Sequence, residues 1–112
     1  METDLSHFEA EMNRGFLQIL VLVVLEKAMY GYLMLKKFEK MGYVVEENTL
    51  YPLLRRLEKK ELIRSEWDIS QGRPKKFYVI TDKGRDIRKN VLKIWGKQHE
   101  IIDKLLEENK NE

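Results

Sequence analysis

Asn48-Thr49-Leu50-Tyr51-Pro52-Leu53-Leu54-Arg55-Arg56-Leu57-Glu58 decides how this chain is read. Its leucines stand at positions 50, 53, 54 and 57, a spacing that places all four on one face of a helix. Asn48, Thr49, Pro52, Arg55 and Arg56 fall on the opposite face, with Tyr51 and Lys59 alongside. One side is built to dock on a core. The other presents two guanidinium forks, an amide and hydroxyls, groups that can read base edges and hold phosphates in a major groove. An ordinary surface helix with a solvated basic face would show the same pattern, so the residues that follow decide between the two.

Downstream, Leu62-Ile63-Arg64-Ser65-Glu66-Trp67-Asp68-Ile69 alternates. Ile63, Trp67 and Ile69 share one side, and Arg64, Glu66 and Asp68 the other, which predicts a half-buried strand. Ser70-Gln71-Gly72-Arg73-Pro74 is rich in turn formers. Lys76-Phe77-Tyr78-Val79-Ile80-Thr81, mostly aromatic and β-branched, predicts the returning strand. A helix with a polar outer face, followed by a hairpin whose tip carries Arg73, Lys75 and Lys76, has the order of a winged helix-turn-helix. In that architecture the helix enters the major groove and the basic wing grips the backbone beside it.

Upstream, residues 1–11 are polar and are expected to begin a helix or stay partly mobile. Residues 12–27 hold the longest apolar run, Phe16 to Leu25, whose length and lack of turn residues favour a helix buried on most sides. Ala28 to Tyr32 is expected to be a short connection. A second helix is expected from Gly31 to Lys40, with Tyr32, Leu35 and Phe38, or else Leu33 and Met34, facing inward. Gly42 would end it in the left-handed region. Asn48 would then cap the next helix, placing Pro52 at or just past its first turn. Thr81-Asp82 can cap a last helix running to about Glu108. Its apolar positions are Ile87, Val91, Ile94, Trp95, Ile101, Ile102, Leu105 and Leu106, close to a heptad seam among charged residues. A helix that long outruns the domain before it. Val91, Ile94, Trp95, Ile101, Ile102 and Leu105 are therefore expected to pair with a twofold mate.

The fold class expected is mainly α with a small β-hairpin. A winged helix-turn-helix domain would occupy 1–81, with 1–11 as its N-terminal segment, a dimerisation helix 82–108, and a frayed tail 109–112. A chain of 112 residues has a small core, so a partner copy would add needed buried surface. The net charge is only +2, so a nucleic-acid site must be a local patch and not a bulk property. Absence of cysteine removes disulfides, thiolate catalysis and zinc-finger ligation. His7 and His99 have no metal-ligand spacing. Neither metal nor cofactor is expected. The acidic N-terminus is unlike a signal peptide, and the apolar run is too short for a bilayer, so no membrane partner is expected and the cytoplasm is the default.

Taken together, Gly15 to Leu22, Tyr30-Gly31-Tyr32, Thr49 to Glu58, Leu62-Ile63, Gly72-Arg73-Pro74-Lys75-Lys76-Phe77-Tyr78-Val79-Ile80-Thr81 and Gly84 resemble the PadR family of transcriptional regulators over residues 12–106. The short length with one C-terminal helix resembles its short subfamily. The resemblance implies a homodimeric winged-helix repressor on double-stranded DNA, with DNA-binding residues Asn48, Thr49, Tyr51, Pro52, Arg55, Arg56, Arg73, Lys75 and Lys76. Repression in such proteins can be relieved by small aromatic effectors. Asn48 stands where the family usually has glycine, and Lys75 and Lys76 where its wing often has a second proline or arginine.

Trp95 lies on the seam, and Gly96 leaves room beside it. Across a twofold axis two such indoles would face Met12, Phe16 and Ile19 and form a slot for a planar aromatic molecule; a large core residue is the plainer reading. An enzyme is not expected, since no catalytic constellation can be assembled. A winged-helix module that binds only proteins is the alternative to a DNA-binding regulator.

Overall fold

A computed structural model of the chain describes residues 2–111. Helix α1 spans Glu2–Val24, strand β1 Met29–Tyr30, helix α2 Gly31–Lys40, helix α3 Glu47–Lys59, strand β2 Ile63–Asp68, strand β3 Lys75–Ile80 and helix α4 Asp82–Lys110. The fold is a winged helix-turn-helix extended by one long helix. At ~1.5 Å per residue α4 alone is roughly 43 Å long, and it stretches the molecule to 65 Å by 33 Å by 23 Å.

The core forms where helical stripes and one end of the sheet meet. Leu17, Val21, Leu22 and Leu25 come from α1 and its end, Met34 and Phe38 from α2, the four leucines from α3, and Leu62, Ile63, Tyr78 and Ile80 from the hairpin. Leu50, Leu53, Leu54 and Leu57 are 0%, 3%, 0% and 1% exposed, so the leucine pattern docks as its spacing required.

The root of α4 is fastened to this core. Thr81 caps it by accepting from the Gly84 amide at 3.0 Å, while its hydroxyl donates to the Glu61 carbonyl at 2.7 Å. Gly84 is buried, and a Cβ there would collide with the Leu62 carbonyl oxygen and Ile80. Further along, Arg88 donates to the Leu22 carbonyl at 3.4 Å and pairs with Glu26 at 2.9 Å. Leu22 lies in the last turn of α1, whose carbonyls lack intrahelical partners, so Arg88 serves as a C-terminal cap supplied from another helix.

The sheet has three strands in the order β1-β3-β2, all antiparallel, so the hairpin expectation was one strand short. Met29 pairs with Tyr78 and Tyr30 with Phe77 in what looked like a plain connection. Two residues carry no periodicity, and their strand geometry is imposed by β3. α1 begins at Glu2, the helical one of the two expectations for residues 1–11, because Leu5, Phe8, Met12 and Phe16 continue a helical stripe through the polar segment. That stripe is exposed, so α1 is buried in this protomer along one face only. In α2 the inward face is Met34 and Phe38 with Leu35 partly covered, while Tyr32 and Leu33 are exposed. Gly42, at φ +90°, follows α2 in the left-handed region as expected. The tail is helical through Lys110; Met1 of the N-terminal segment and Glu112 of the tail lie outside the described residues.

Candidate nucleic-acid interface

The outer side of α3 is open along its length. Asn48, Thr49, Arg55, Arg56 and Lys59 are exposed, and Tyr51 and Pro52 are half-buried at the edge. The helix starts earlier than its sequence implied. Glu46 is the capping residue and lends no side-chain bond, so Asn48 is the second residue of the helix and not its cap. Pro52 therefore sits in the helix interior. Its missing N–H leaves the Asn48 carbonyl without its usual i+4 donor, on a solvent-facing side where another donor can reach it. Glu46 and Glu47 open the helix, and Glu47 suits its positive end.

Tyr51 sets the angle between α2 and α3. Its ring lies against Gly31, where a Cβ would come within 2.7 Å of Tyr51 Cε1. Burial and the neighbouring Glu47 carboxylate push the Tyr51 hydroxyl above its ordinary pKa. Tyr78 is pushed the same way by burial first, then by Glu58, with Arg55 opposing. Both phenols remain neutral donors at pH 7.

Between the start of α2, the side of α3 and the wing runs a groove of about 640 Å³. It is lined by Tyr30, Gly31, Tyr32, Leu33, Tyr51, Arg55, Lys75, Lys76 and Tyr78. Three cations from two elements thus converge on a wall of phenol hydroxyls, a composition suited to phosphate oxygens. Lys75 Nζ lies 5.5 Å from the Tyr30 ring centre and Lys76 Nζ 5.6 Å from that of Tyr78. Among the described residues, Arg55, Arg56, Lys59, Arg73, Lys75 and Lys76 are in no ion pair, whereas Arg64, Arg85 and Arg88 each hold a carboxylate. Arg55, Lys75 and Lys76 line one groove, and Arg55, Arg56 and Lys59 share a second beside it, a local concentration of cations on a chain whose net charge is small.

The wing is braced along its length. Tyr30 donates to Asp68 Oδ2 at 3.1 Å, and Ser70 donates to Asp68 Oδ1 through both its hydroxyl, at 2.6 Å, and its amide, at 3.0 Å. The Ser70 bonds, then that from Tyr30, hold the Asp68 carboxyl below its ordinary pKa. Ser65 donates to Glu58 Oε2 at 2.6 Å and ties β2 to α3. Arg73 lies at the exposed tip beside Gly72, which turns the chain at φ +68°.

Sequence reasoning had not assigned Tyr30, Tyr32 or Tyr78 to this surface. The Tyr-Gly-Tyr spacing about Gly31 was the available signal, since only glycine admits the Tyr51 ring there. The inward placement of Trp67 and Ile69 needs correction. Trp67 is 63% exposed and Ile69 lies beyond β2, also exposed, because the wing projects past the end of the core.

The residues singled out for a ligand slot stand on two helices, Met12, Phe16 and Ile19 on α1 and Trp95 on α4. Phe16 turns toward Tyr43, 5.4 Å away, and lines an apolar cavity of about 640 Å³ with Leu20, Val23, Val24, Met41 and Tyr43. Met12, Ile19 and Trp95 are not part of that wall. Trp95 lies edge-on to His99 at 4.4 Å and is 42% exposed. Along α4, Ile94, Ile101, Ile102, Leu105 and Leu106 are also exposed. Among the described residues no cluster of His, Asp or Glu could hold a metal, and no helix is long and apolar enough to cross a membrane.

The profile of the transcriptional regulator PadR-like family matches residues 19–90. An uncharacterized protein of Lysinibacillus sphaericus is 35% identical over 103 residues, spanning 88% of this chain and 94% of its own. Among solved structures, a PadR family transcriptional regulator from Eggerthella lenta aligns with a TM-score of 0.85 at 39% identity, with 94% of each chain covered. A PadR-like transcriptional regulator from Bacillus cereus aligns at 0.77 with 33% identity, covering 86% of this chain and 96% of that one.

Proposed function

This chain belongs to the PadR-like family of transcriptional regulators, and on that premise we propose that it acts as a homodimeric repressor on an inverted repeat. It is a DNA-binding regulator and not an enzyme. A regulator works where the chromosome is, so its proposed place is the cytoplasm. The observation that carries the reading is the two-sidedness of α3: leucines fully docked, cations and amide fully open, and the wing cations on the same flank.

In this reading α3 enters the major groove. Arg55 and Arg56 reach base edges or the flanking phosphates, and Asn48, Thr49, Tyr51 and Pro52 lie at the groove edge. Arg73, Lys75 and Lys76 hold the neighbouring backbone. Val91, Ile94, Trp95, Ile101, Ile102 and Leu105 close the dimer; the exposure of most of them on a helix otherwise charged supports this assignment. Two copies of α3 then meet successive major grooves, ~34 Å apart.

The test is a gel shift with the DNA upstream of the protein's own gene, repeated across salt concentrations. A steep fall of affinity with salt is expected, and Arg55→Ala with Arg56→Ala should cost about 1–3 kcal/mol for each base edge no longer read. Wild-type affinity in that double variant, or no shift at any salt, would refute it; the latter would favour a protein-binding module.

The effector belongs to the same proposal. Trp95 is half open, Gly96 beside it has nothing within 4 Å of a would-be Cβ, and a twofold mate would bring a second indole to the axis near Met12, Phe16 and Ile19. A planar aromatic molecule stacked there would favour one angle between subunits. Titration with planar aromatic cations and phenolic acids in a Trp67→Phe background should quench Trp95 and lower operator affinity together. Quenching without a change in affinity, or none across the panel, leaves Trp95 as a packing residue.

A further inference from the structure

Trp67 is on the wing, 63% exposed, on the side its alternation marks as inward. The register explains how both can hold. In antiparallel strands, directly paired residues share a face. Ile63 pairs with Ile80, Ser65 with Tyr78 and Trp67 with Lys76, so these three pairs form one row on one face of the sheet. The first pair is in the core. The second lies against α3, since Ser65 bonds Glu58 and Tyr78 shares a groove with Tyr51 and Arg55. The third is one step, ~7 Å, farther out along the strands, and nothing in the protomer covers it. The other face carries Arg64, Glu66, Asp68, Lys75 and the Tyr30 brace.

We propose that Trp67 is itself a DNA contact, its indole packing on the deoxyribose faces of the strand that the wing follows, beside a phosphate held by Lys76. The inference rests on the DNA-binding reading above and adds to it an apolar contact. The charges select the occupant. A polyanion is drawn to the face that carries Lys76 and leads back to Arg55, while on the other face Arg64 pairs with Glu66 and Lys75 stands across from Asp68, so the charges there offset. Sugar edges are the apolar part of such a ligand, and an indole offers a broad flat surface for them. The ring nitrogen is a donor with no acceptor role, and among the described residues the Trp67 indole has no hydrogen-bond partner, so that N–H is left for a phosphate or sugar oxygen. Because the contact is to sugars and not to base edges, Trp67 senses the width and course of the groove. It adds affinity without releasing counterions.

This last property gives the test a signature. The full-length protein is titrated with a mixed-sequence B-form duplex and with the upstream inverted repeat, in wild type, Trp67→Ala, Trp67→Phe and Lys76→Gln. Trp67→Ala should weaken both duplexes about tenfold with the salt slope unchanged, and Trp67→Phe should stay within about threefold of wild type. Lys76→Gln should flatten the slope. In a Trp95→Phe background, Trp67 emission should change on adding DNA, which settles the matter even if Trp67→Ala folds poorly. Wild-type affinity in Trp67→Ala together with unmoved Trp67 emission overturns the proposal and leaves the DNA reading standing. A wild-type protein that binds neither duplex overturns both.

Discussion

Replacing Lys75 and Lys76 together with glutamine removes the two wing cations that line the groove with Arg55. Both ammonium groups rest over tyrosine rings and neither is in an ion pair among the described residues. The charges are therefore available to DNA, and leaving a ring at the edge of an open groove costs only about 0.5–1 kcal/mol each. Each phosphate neutralised contributes about 0.9 to the slope of log K against log salt. The proposed dimer carries two wings, so the double variant should flatten that slope by about 3.6 if every lysine holds a phosphate, and by about half as much if one per wing does. Between about 50 and 200 mM salt, the larger figure means that the affinity of the variant falls by roughly a hundredfold less than that of wild type. Fluorescence anisotropy with a labelled duplex across a series of salt concentrations measures this directly. The effect should be nearly equal on operator and mixed-sequence DNA, because backbone contacts carry no sequence information. A double variant with the wild-type slope would show that the wing does not touch the backbone, and the groove would need another occupant.

Three further outcomes are expected. Ile101→Glu with Leu105→Glu should turn the proposed dimer into a monomer in sedimentation and abolish operator binding; a variant that remains dimeric would displace the seam from its assigned role. Gly84→Ala should destabilise the fold by about 1–3 kcal/mol in denaturant titration, although alanine favours helices by about 1 kcal/mol, because the opposing atom is the Leu62 backbone carbonyl and cannot turn aside; equal or higher stability would mean that the root of α4 is looser than it looks. Asp68 has a folded pKa below its ordinary value, so its contribution is present above the unfolded pKa and disappears as pH falls through the folded one. Asp68→Asn should accordingly flatten the acid limb of a stability-pH curve, and an unchanged limb would show that the brace is idle.

Much of this was legible in the chain, and the parts that were not share a cause. The period of four leucines sufficed for α3, and Thr81 and Gly42 marked helix ends by chemistry that operates locally. β1 was not legible, since a two-residue strand exists only because β3 lies beside it. Alternation gave the correct face for Trp67 but could not give its depth, because burial depends on where the helices stop covering the sheet. The choice between a helix and a mobile segment at the start of α1 stayed open for the converse reason: Leu5, Phe8 and Met12 form a regular stripe that no element of the protomer covers. The Asn48 cap was a reasonable local choice overruled by an earlier helix start, which moved Pro52 into the interior. At the candidate site, the exposed cations were readable from helical spacing. The tyrosine wall was not, because it joins α2, α3 and two strands.

The fastening of α4 has a consequence for regulation under the proposed dimer. Gly84 is wedged against Leu62, Thr81 is bonded to Glu61 and Gly84, and Arg88 clamps α1, so the first two turns of α4 move with the domain. Tyr51 on Gly31 likewise fixes α3 to α2. No soft joint then separates the recognition surface from the base of the long helix. Flexibility is left to the exposed seam, where Trp95 and Gly96 lie. A rotation of about 10° at that seam, acting over about half of the 65 Å length, would move α3 by roughly 6 Å, more than the ~3.4 Å rise of one base pair. Such a shift breaks the match to successive major grooves without altering a single residue of the DNA-facing side. An effector therefore need not approach the DNA surface to control it; it need only prefer one angle at the axis.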